Sequence, residues 1–245
     1  YHTKERMYFV NADGSGSVSA QGQLPSANAG WTSGAAMFKP DKILQIGGNS
    51  NGATVIDISG PVPVATPTQS MSTKRMWVSA TVLPDGKVLA TGGSEVENQL
   101  TGVNNRAEIW NPATGTWRVG TAGARARLYH SGALLLPDAT VLVSRGGAPG
   151  PQVNTNAEIY YPPYLFDASG AFAVRPRITS WPSTAEAGDT LTLEVEGDVT
   201  RVALVKTGST THSVNMDHRR VEFPITRSGT TVTAQVPTRA TDAPP

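Results

Sequence analysis

Residues 79–93 have the sequence SATVLPDGKVLATGG, in which two apolar strands flank a Pro-Asp turn and the second strand ends in Gly-Gly. The same order of features recurs in residues 35–48 and in residues 132–147. Their Pro-Asp turns lie 44 and then 53 residues apart along the chain. Pro fixes φ, and the Asp side chain can hydrogen-bond to the nearby backbone, so the pair favours a turn. Each copy therefore predicts a β-hairpin.

A further strand is predicted after each copy, at residues 54–58, 107–110 and 157–160. Residues 111–117 then predict a turn into a closing aromatic residue, and residues 7–10 predict one more strand near the start. A period of roughly 40–50 residues with several strands is typical of the blades of a kelch-type β-propeller. The alternative is an ordinary β-sandwich with coincidental turns, which three aligned copies disfavour.

The C-terminal part of the sequence has a different pattern. Residues 160–164 read YYPPY and predict a rigid exit from the last blade. Short strands of alternating hydrophobicity are then predicted at residues 190–195, 202–205 and 231–236. Such strands are typical of an immunoglobulin-like β-sandwich.

We therefore expect an all-β chain of two domains. Residues 1–173 are predicted to form the last three to four blades of a kelch-type propeller, and residues 174–245 an incomplete immunoglobulin-like domain. A propeller needs about four to eight blades to close. Further blades are therefore expected upstream, and the chain is expected to be a piece of a longer protein.

The composition argues against several classes of protein. The 20 Lys and Arg residues nearly balance the 19 Asp and Glu residues without a long block of one sign, so no nucleic-acid partner is predicted. The chain has no cysteine, which excludes disulfide bonds and thiolate metal ligands within it. The longest apolar runs are too short to predict a membrane-spanning helix.

The candidate site begins at residues 127–131, with the sequence RLYHS, just before the first strand of the third repeat. Adjacent side chains on a strand point to opposite faces, so Tyr129 and His130 can share a site only at the mouth of that strand. A second histidine, His212, lies 82 residues after His130 in the predicted sandwich. Taken alone, each of these motifs is more often structural than catalytic.

The motifs resemble the C-terminal part of the mono-copper radical oxidases, the family of galactose oxidase and glyoxal oxidase, and especially its bacterial glyoxal oxidase-like members. The resemblance begins near residue 34 and is strongest after residue 125. It is carried by residues 127–138, 157–165, 175–178 and 211–220. It implies a seven-bladed propeller that holds copper near its axis, and a sandwich loop that brings one histidine to the metal.

By this resemblance, Tyr129 is the axial ligand of copper, His130 the first equatorial histidine, and His212 the histidine from the sandwich. Two imidazoles with phenolate oxygens suit Cu(II). Family members use a second tyrosine, linked through a thioether to a cysteine, as ligand and radical. This chain has no cysteine, so we expect that Tyr-Cys pair to lie upstream or to be absent.

Two tryptophans are candidates for the same site. Trp77 lies in the motif RMWVS, which parallels RLYHS, so we expect it in the blade-relative place of His130, as a wall of the substrate pocket. The resemblance gives Trp31 a catalytic role, stacked on the linked tyrosine, with packing inside a blade as the alternative. The other tryptophans are expected in hydrophobic cores: Trp110, Trp117 and Trp181.

Charged residues follow His212 closely. Asp217, Arg219 and Arg220 are expected to brace the His212 loop by ion pairs. His218 is expected beside the site or at the surface, and not as a metal ligand.

The resemblance implies an enzyme that oxidises a small aldehyde such as glycolaldehyde, a primary alcohol or a glycan end. O2 would be the acceptor and hydrogen peroxide the product, and Tyr129 would take the substrate proton. Residues 22–33 contain no arginine, which weighs against the galactose-type hexose site of this family. The family further implies a monomer that is extracellular or associated with the cell surface.

Two alternatives stay open from the sequence. One is a non-catalytic propeller and sandwich module that binds a glycan or a protein. The other is a structural copper protein without a radical. A cysteine and a tyrosine in the upstream blades would favour the oxidase.

Overall fold

The structure is a computed structural model that describes residues 2–3, 6–24, 30–239 and 242. Its regular elements are strands in antiparallel sheets, with a short 3₁₀ turn at Pro163–Leu165. The sheets form propeller blades followed by a β-sandwich, which confirms the all-β fold expected from the sequence. Within the described residues, no helix has the length and apolar character needed to cross a membrane.

The blades are meanders, in which strands adjacent in sequence are paired. The first sheet contains β1 (His2–Thr3), β2 (Arg6–Asn11) and β3 (Ser17–Gln23). The second contains β4 (Ser33–Lys39), β5 (Lys42–Gly47), β6 (Ala53–Asp57) and β7 (Val64–Thr68). The third contains β8 (Ser79–Val82), β9 (Val88–Thr91), β10 (Arg106–Asn111) and β11 (Thr116–Ala122). The fourth contains β12 (Ser131–Leu135), β13 (Val141–Arg145) and β14 (Ala157–Tyr160).

Each predicted repeat forms the first hairpin of a sheet. For example, the Pro-Asp turn joins β8 to β9, and these two strands pair as far as Ser79 and Thr91 at the open end of the hairpin. Neighbouring sheets pack face to face, and Phe38 of β4 meets Trp110 of β10 edge-on with ring centroids 5.1 Å apart. A second core joins β9 and β10 to β12 and β13, where Leu89 is fully buried. The repeats thus supply the apolar faces between the blades.

The sequence did not reveal three outer strands, β3, β7 and β11. The residues of β3 are mostly exposed, and Val18 is the only large apolar residue among them. Pro67 lies in β7, at the outer edge of its sheet, where a residue without an N–H is tolerated. The predicted closing aromatic, Trp117, lies at the start of β11.

The sandwich has a four-stranded sheet and a two-stranded sheet. The larger sheet has the order β15 (Arg177–Ser180), β16 (Thr190–Glu196), β22 (Thr231–Gln235) and β21 (Ile225–Ser228). The smaller pairs β17 (Val202–Val205) with β20 (Arg220–Phe223). Leu193, Val232 and Phe223 contribute to the cores between the sheets. The division of the chain at residue 173 stays a prediction.

The tryptophans expected in cores have different environments. Trp110 is buried, and Trp117 packs partly buried against the same core. Trp181 is 64% exposed, so its expected core position was wrong. It follows β15, an edge strand whose four residues are all exposed.

A loop of the sandwich reaches into the propeller. Residues 206–220, which we call the central loop, contain a hairpin of β18 (Thr210–Thr211) and β19 (Val214–Asn215). This hairpin contacts β4, β8 and β12, the first strands of three successive blades. First strands of successive blades line the axis of a propeller, so the central loop lies on that axis.

Polar contacts hold the central loop to the blades and brace it. Arg220 donates to the carbonyl oxygen of Pro84 at 2.8 Å. Asp217 pairs with Lys206 at 2.8 Å and also with Arg219. The expected bracing by ion pairs is therefore present for Asp217 and Arg219, whereas Arg220 forms its ion pair with Glu222.

His218 is buried between the central loop and β8, and not at the surface. Its Nδ1 accepts a hydrogen bond of 3.1 Å from the backbone N–H of Val82. Burial lowers the pKa of His218 from 6.5 to about 4. Protonation would remove the acceptor, so the contact requires the neutral ring.

We expect the stability of the protein to depend on His218 between pH 6.5 and pH 4. Because the folded pKa lies below the unfolded one, the contribution is complete above pH 6.5 and is lost as the pH falls through about 4. It amounts to at most about 3 kcal/mol. Lys206 and Arg219 lower the pKa of Asp217, the neighbouring carboxylate of the central loop.

Melting temperatures of wild type and His218→Asn between pH 7 and pH 4 test this expectation. Asn keeps a side-chain acceptor that does not titrate in this range. The variant should lose less stability than the wild type as the pH falls. Parallel pH profiles of the two proteins would contradict it.

Candidate metal centre

Tyr129 and His130 lie in the turn that leads into β12, as expected for a strand mouth. The turn is closed by a hydrogen bond from Ser131 N–H to the Leu128 carbonyl oxygen, at 2.9 Å. His130 has a φ of 63°, a left-handed conformation that is costly for a residue with a Cβ and is often found at functional sites. In this turn the two rings stack, with centroids 3.8 Å apart and planes inclined by 27°.

A buried arginine, Arg127, holds this turn in place by hydrogen bonds and an ion pair. Arg127 donates to Glu158 at 2.6 Å and to the carbonyl oxygens of Arg145 and Asn156 at 3.0 and 3.2 Å. Burial raises the pKa of Glu158, but hydrogen bonds from Ala124 N–H and from Arg127 outweigh it and hold the pKa below its usual range. The ion pair thereby anchors the turn to β13 and β14.

His212 reaches the same place from the sandwich, at the tip of the β18–β19 hairpin. Its neighbour Ser213 is buried and donates its N–H to the Ser131 carbonyl oxygen at 2.9 Å. The hydroxyl of Ser213 lies 3.0 Å from that of Ser131 and donates to the Leu128 carbonyl oxygen at 3.2 Å. His212 and Ser213 both have positive φ values, 52° and 65°. We call this set of contacts the serine clasp.

The serine clasp brings the three predicted ligands together. The ring of His212 lies 4.4 Å from that of His130 at an interplanar angle of 69°. It lies 5.5 Å from the ring of Tyr129. Side chains 82 positions apart in the sequence therefore meet at one point on the propeller axis.

The two predicted tryptophans adjoin this cluster. Trp77 lies 4.5 Å from Tyr129, between ring centroids, and is buried. Trp31 meets Trp77 edge-on at 4.9 Å and is 55% exposed. Trp31 thus reaches the cluster through Trp77. Because the chain has no cysteine, the expected stacking of Trp31 on a linked tyrosine stays a prediction.

The expected equivalence of Trp77 and His130 needs correction. Arg75 and Arg127 occupy matching places in their blades, since each pairs with a glutamate of the third strand. Counted from these arginines, Trp77 matches Tyr129. Trp77 shares with His130 the left-handed backbone, with a φ of 63° in both.

The orientation of His130 suits a metal ligand. Its Nδ1 lies 2.7 Å from the carbonyl oxygen of Ala148, which can only accept, so Nδ1 carries the proton and Nε2 keeps its lone pair. Metal-binding histidines are commonly oriented in this way. In His212, Nδ1 lies 2.6 Å from the Thr211 hydroxyl, which can orient that ring similarly.

The donor set fits copper if the phenol of Tyr129 takes part. Within the described residues, no three His, Cys, Asp or Glu side chains gather in a metal-binding group. Two imidazoles and a phenol oxygen form an N,O set of the kind that Cu(II) accepts. The chain has no thiol that would favour a softer metal.

One cavity of about 680 Å³ gives access to the cluster and is lined by His130 and His212 together with polar residues of the β12 and β18 segments. Another of about 480 Å³ lies beside Trp31 and the central loop and does not border the three candidate ligands. Small molecules can therefore reach the two histidines from the first cavity.

Sequence reasoning missed the groups that orient the rings. The Ala148 carbonyl is a backbone atom and has no residue signature. Ser131 and Ser213 did have a signal, because each directly follows one of the two site histidines. The repeated His-Ser pair marks both halves of the serine clasp.

The chain is similar to a family model and to known proteins. Residues 175–245 match the family model described as galactose oxidase-like, early set domain. Two proteins named galactose oxidase, both from Gibberella zeae, are 33% and 32% identical to the chain over 161 residues. A solved structure described as a novel fungal alcohol oxidase of the AA5 family, in complex with copper, matches with a TM-score of 0.90 and 27% identity.

The matches differ in coverage. Those to the galactose oxidases cover 63% of this chain and 24% of each relative. The structural match covers 97% of this chain and 54% of the solved chain. This chain thus spans about half the length of its solved relative.

Proposed function

We propose that the chain belongs to the copper radical oxidase family of galactose oxidase and that the whole protein is a copper-dependent oxidase. Its substrate would be a small aldehyde, a primary alcohol or a glycan end, with O2 as acceptor and hydrogen peroxide as product. The observation that supports this best is the meeting of Tyr129, His130 and His212 at the propeller axis.

In this proposal the three side chains hold copper. His130 contributes Nε2, since Nδ1 is engaged with the Ala148 carbonyl oxygen. His212 contributes its free ring nitrogen and Tyr129 its phenol oxygen. Bound copper would supply the capacity to take up one electron. The second electron of a two-electron oxidation requires a radical partner, which we place in a Tyr-Cys pair of the upstream blades.

Other steps of the reaction, proton transfer and substrate binding, would then depend on residues of this chain. Tyr129 takes the proton of the substrate hydroxyl, as a general base in contact with the reacting group. Trp77, in contact with Tyr129, forms a wall of the pocket, and Trp31 lies beyond it. The lack of arginine in residues 22–33 favours a small substrate over a galactose-type hexose. We also propose a monomer that acts outside the cell.

The first test uses the intact, copper-loaded protein treated with a mild one-electron oxidant. Visible and near-infrared absorption and the copper EPR signal are recorded together. New broad absorption with loss of the Cu(II) signal supports a tyrosyl radical coupled to copper. An unchanged Cu(II) signal means copper without a radical, and then a structural copper protein or a binding module is the better explanation.

Replacing Tyr129 by phenylalanine is expected to abolish most turnover while most of the copper is retained. The two imidazoles remain, but the oxygen that accepts the substrate proton is gone. General acid-base groups typically contribute about 10²- to 10⁴-fold to a rate. Peroxide production and copper content are measured on the same sample. Full activity in Tyr129→Phe would remove this residue from the mechanism.

A further inference from the structure

We propose that Trp31, Trp77 and Tyr129 form a path for single electrons between a soluble oxidant and the candidate metal centre. We call this set the aromatic relay. Its purpose rests on the proposed oxidase function, since a radical enzyme needs a route for one-electron exchange. The existence of the relay does not rest on that function, because electron transfer along the rings can be measured without copper.

The relay is continuous from solvent to the candidate ligands. Trp31 is 55% exposed and meets Trp77 with ring centroids 4.9 Å apart. Trp77 meets Tyr129 at 4.5 Å, and Tyr129 stacks on His130 at 3.8 Å. Electron transfer falls off steeply with the gap between donor and acceptor. Rings in van der Waals contact therefore exchange electrons far faster than rings separated by aliphatic packing.

The residue types also suit the path. Indole and phenol are the side chains most easily oxidised in a chain without cysteine. The alternative explanation is that the rings only pack as a pocket wall, which would account for the bulk of Trp77 and Tyr129. Packing alone does not explain why the exposed residue in contact with Trp77, Trp31, is also an oxidisable ring.

The surroundings of Trp77 favour electron transfer from Tyr129 to an oxidised Trp77. Its Nε1–H is buried and has no hydrogen-bond partner among the described residues. An oxidised indole at this place has no acceptor for its proton and stays a radical cation, which remains a strong oxidant. Tyr129, in contact with it, can be oxidised with loss of its phenol proton and so ends the relay.

The redox step balances as follows. The soluble one-electron oxidant takes an electron from Trp31, which takes one from Trp77, which takes one from Tyr129. Tyr129 is half-buried, so its phenol proton passes to solvent water. The products are the reduced oxidant, a neutral tyrosyl radical and a proton, and both tryptophans return to their starting state.

Flash photolysis of the copper-free protein with a ruthenium polypyridyl photo-oxidant and a sacrificial electron acceptor tests the relay. In wild type we expect a tryptophan radical signal that decays as a tyrosyl radical signal grows. Tyr129→Phe should remove most of the tyrosyl signal, which identifies its site. Trp77→Phe keeps an aromatic ring but not an oxidisable indole, and should remove the same tyrosyl signal while a tryptophan radical still forms.

Trp181→Phe is the matched control. Trp181 is 64% exposed on the sandwich and lies outside the ring cluster, so the growth of the tyrosyl signal should be unchanged. A Tyr129-dependent signal that is as large and as fast in folded Trp77→Phe as in wild type would overturn the relay. Because copper is absent from the experiment, failure of the relay is distinguishable from failure of the oxidase proposal.

Discussion

Replacing either His130 or His212 by alanine is expected to abolish tight copper binding by the intact protein. Each variant loses one of the two proposed imidazole ligands and leaves a donor set that cannot be completed from nearby His, Cys, Asp or Glu residues of the described chain. Loss of a group that merely orients a ligand typically costs about 10- to 100-fold in metal affinity, so loss of the ligand itself should exceed this. Copper content after dialysis against a weak chelator measures the effect.

His218→Asn is the matched control for this prediction. It removes a histidine from the same central loop, but one whose Nδ1 is already engaged with the Val82 N–H. We expect its copper content to equal that of wild type. Normal copper in His130→Ala or His212→Ala would refute the ligand assignment. Loss of copper in a folded His218→Asn protein would implicate a ligand set different from the proposed one.

The blades could be predicted from the sequence because their signal is local and repeated. Each inner hairpin carries its own turn residues and apolar strands, and three copies reinforce one another. The outer strands lack this support. For example, β3 is exposed and polar, and Pro67 in β7 argues against a strand until its edge position is known.

The site was predictable only in part. The adjacency of Tyr129 and His130 indicates a strand mouth, but nothing local connects them to His212 across 82 residues. That link came from the resemblance to a family. The structure adds what residue types do not specify: the Ala148 carbonyl that orients His130, and the serine clasp that joins the central loop to the turn before β12.

Replacing Glu108 by glutamine is expected to destabilise the protein severely. The Arg75 side chain is fully buried, and its guanidinium donates to Glu108 at 2.8 and 3.2 Å. It also donates to the carbonyl oxygens of Gly92, Asn104 and Arg106. These acceptors carry no full charge, so in the variant the buried cation loses its counterion.

Removing one partner of a buried pair typically costs about 3–5 kcal/mol, because the remaining charge stays desolvated. In a chain of this size that corresponds to a fall in melting temperature on the order of 10 °C. Calorimetric or circular-dichroism melting curves of the wild type and Glu108→Gln measure it.

The exposed pair of Arg177 and Glu196 supplies the comparison that decides the physical cause. Its two side chains are 75% and 62% exposed and lie 3.6 Å apart. Exposed pairs contribute about 0–1 kcal/mol, so Glu196→Gln should melt close to wild type. If both variants melted alike, burial of the charge would not be the reason for the stability of the blade. A large loss in Glu108→Gln alone would mean that the buried ion pair fixes the turn before β8 in its place. Arg127 and Glu158 form the corresponding ion pair one blade later. That ion pair would then hold Tyr129 and His130 at the propeller axis.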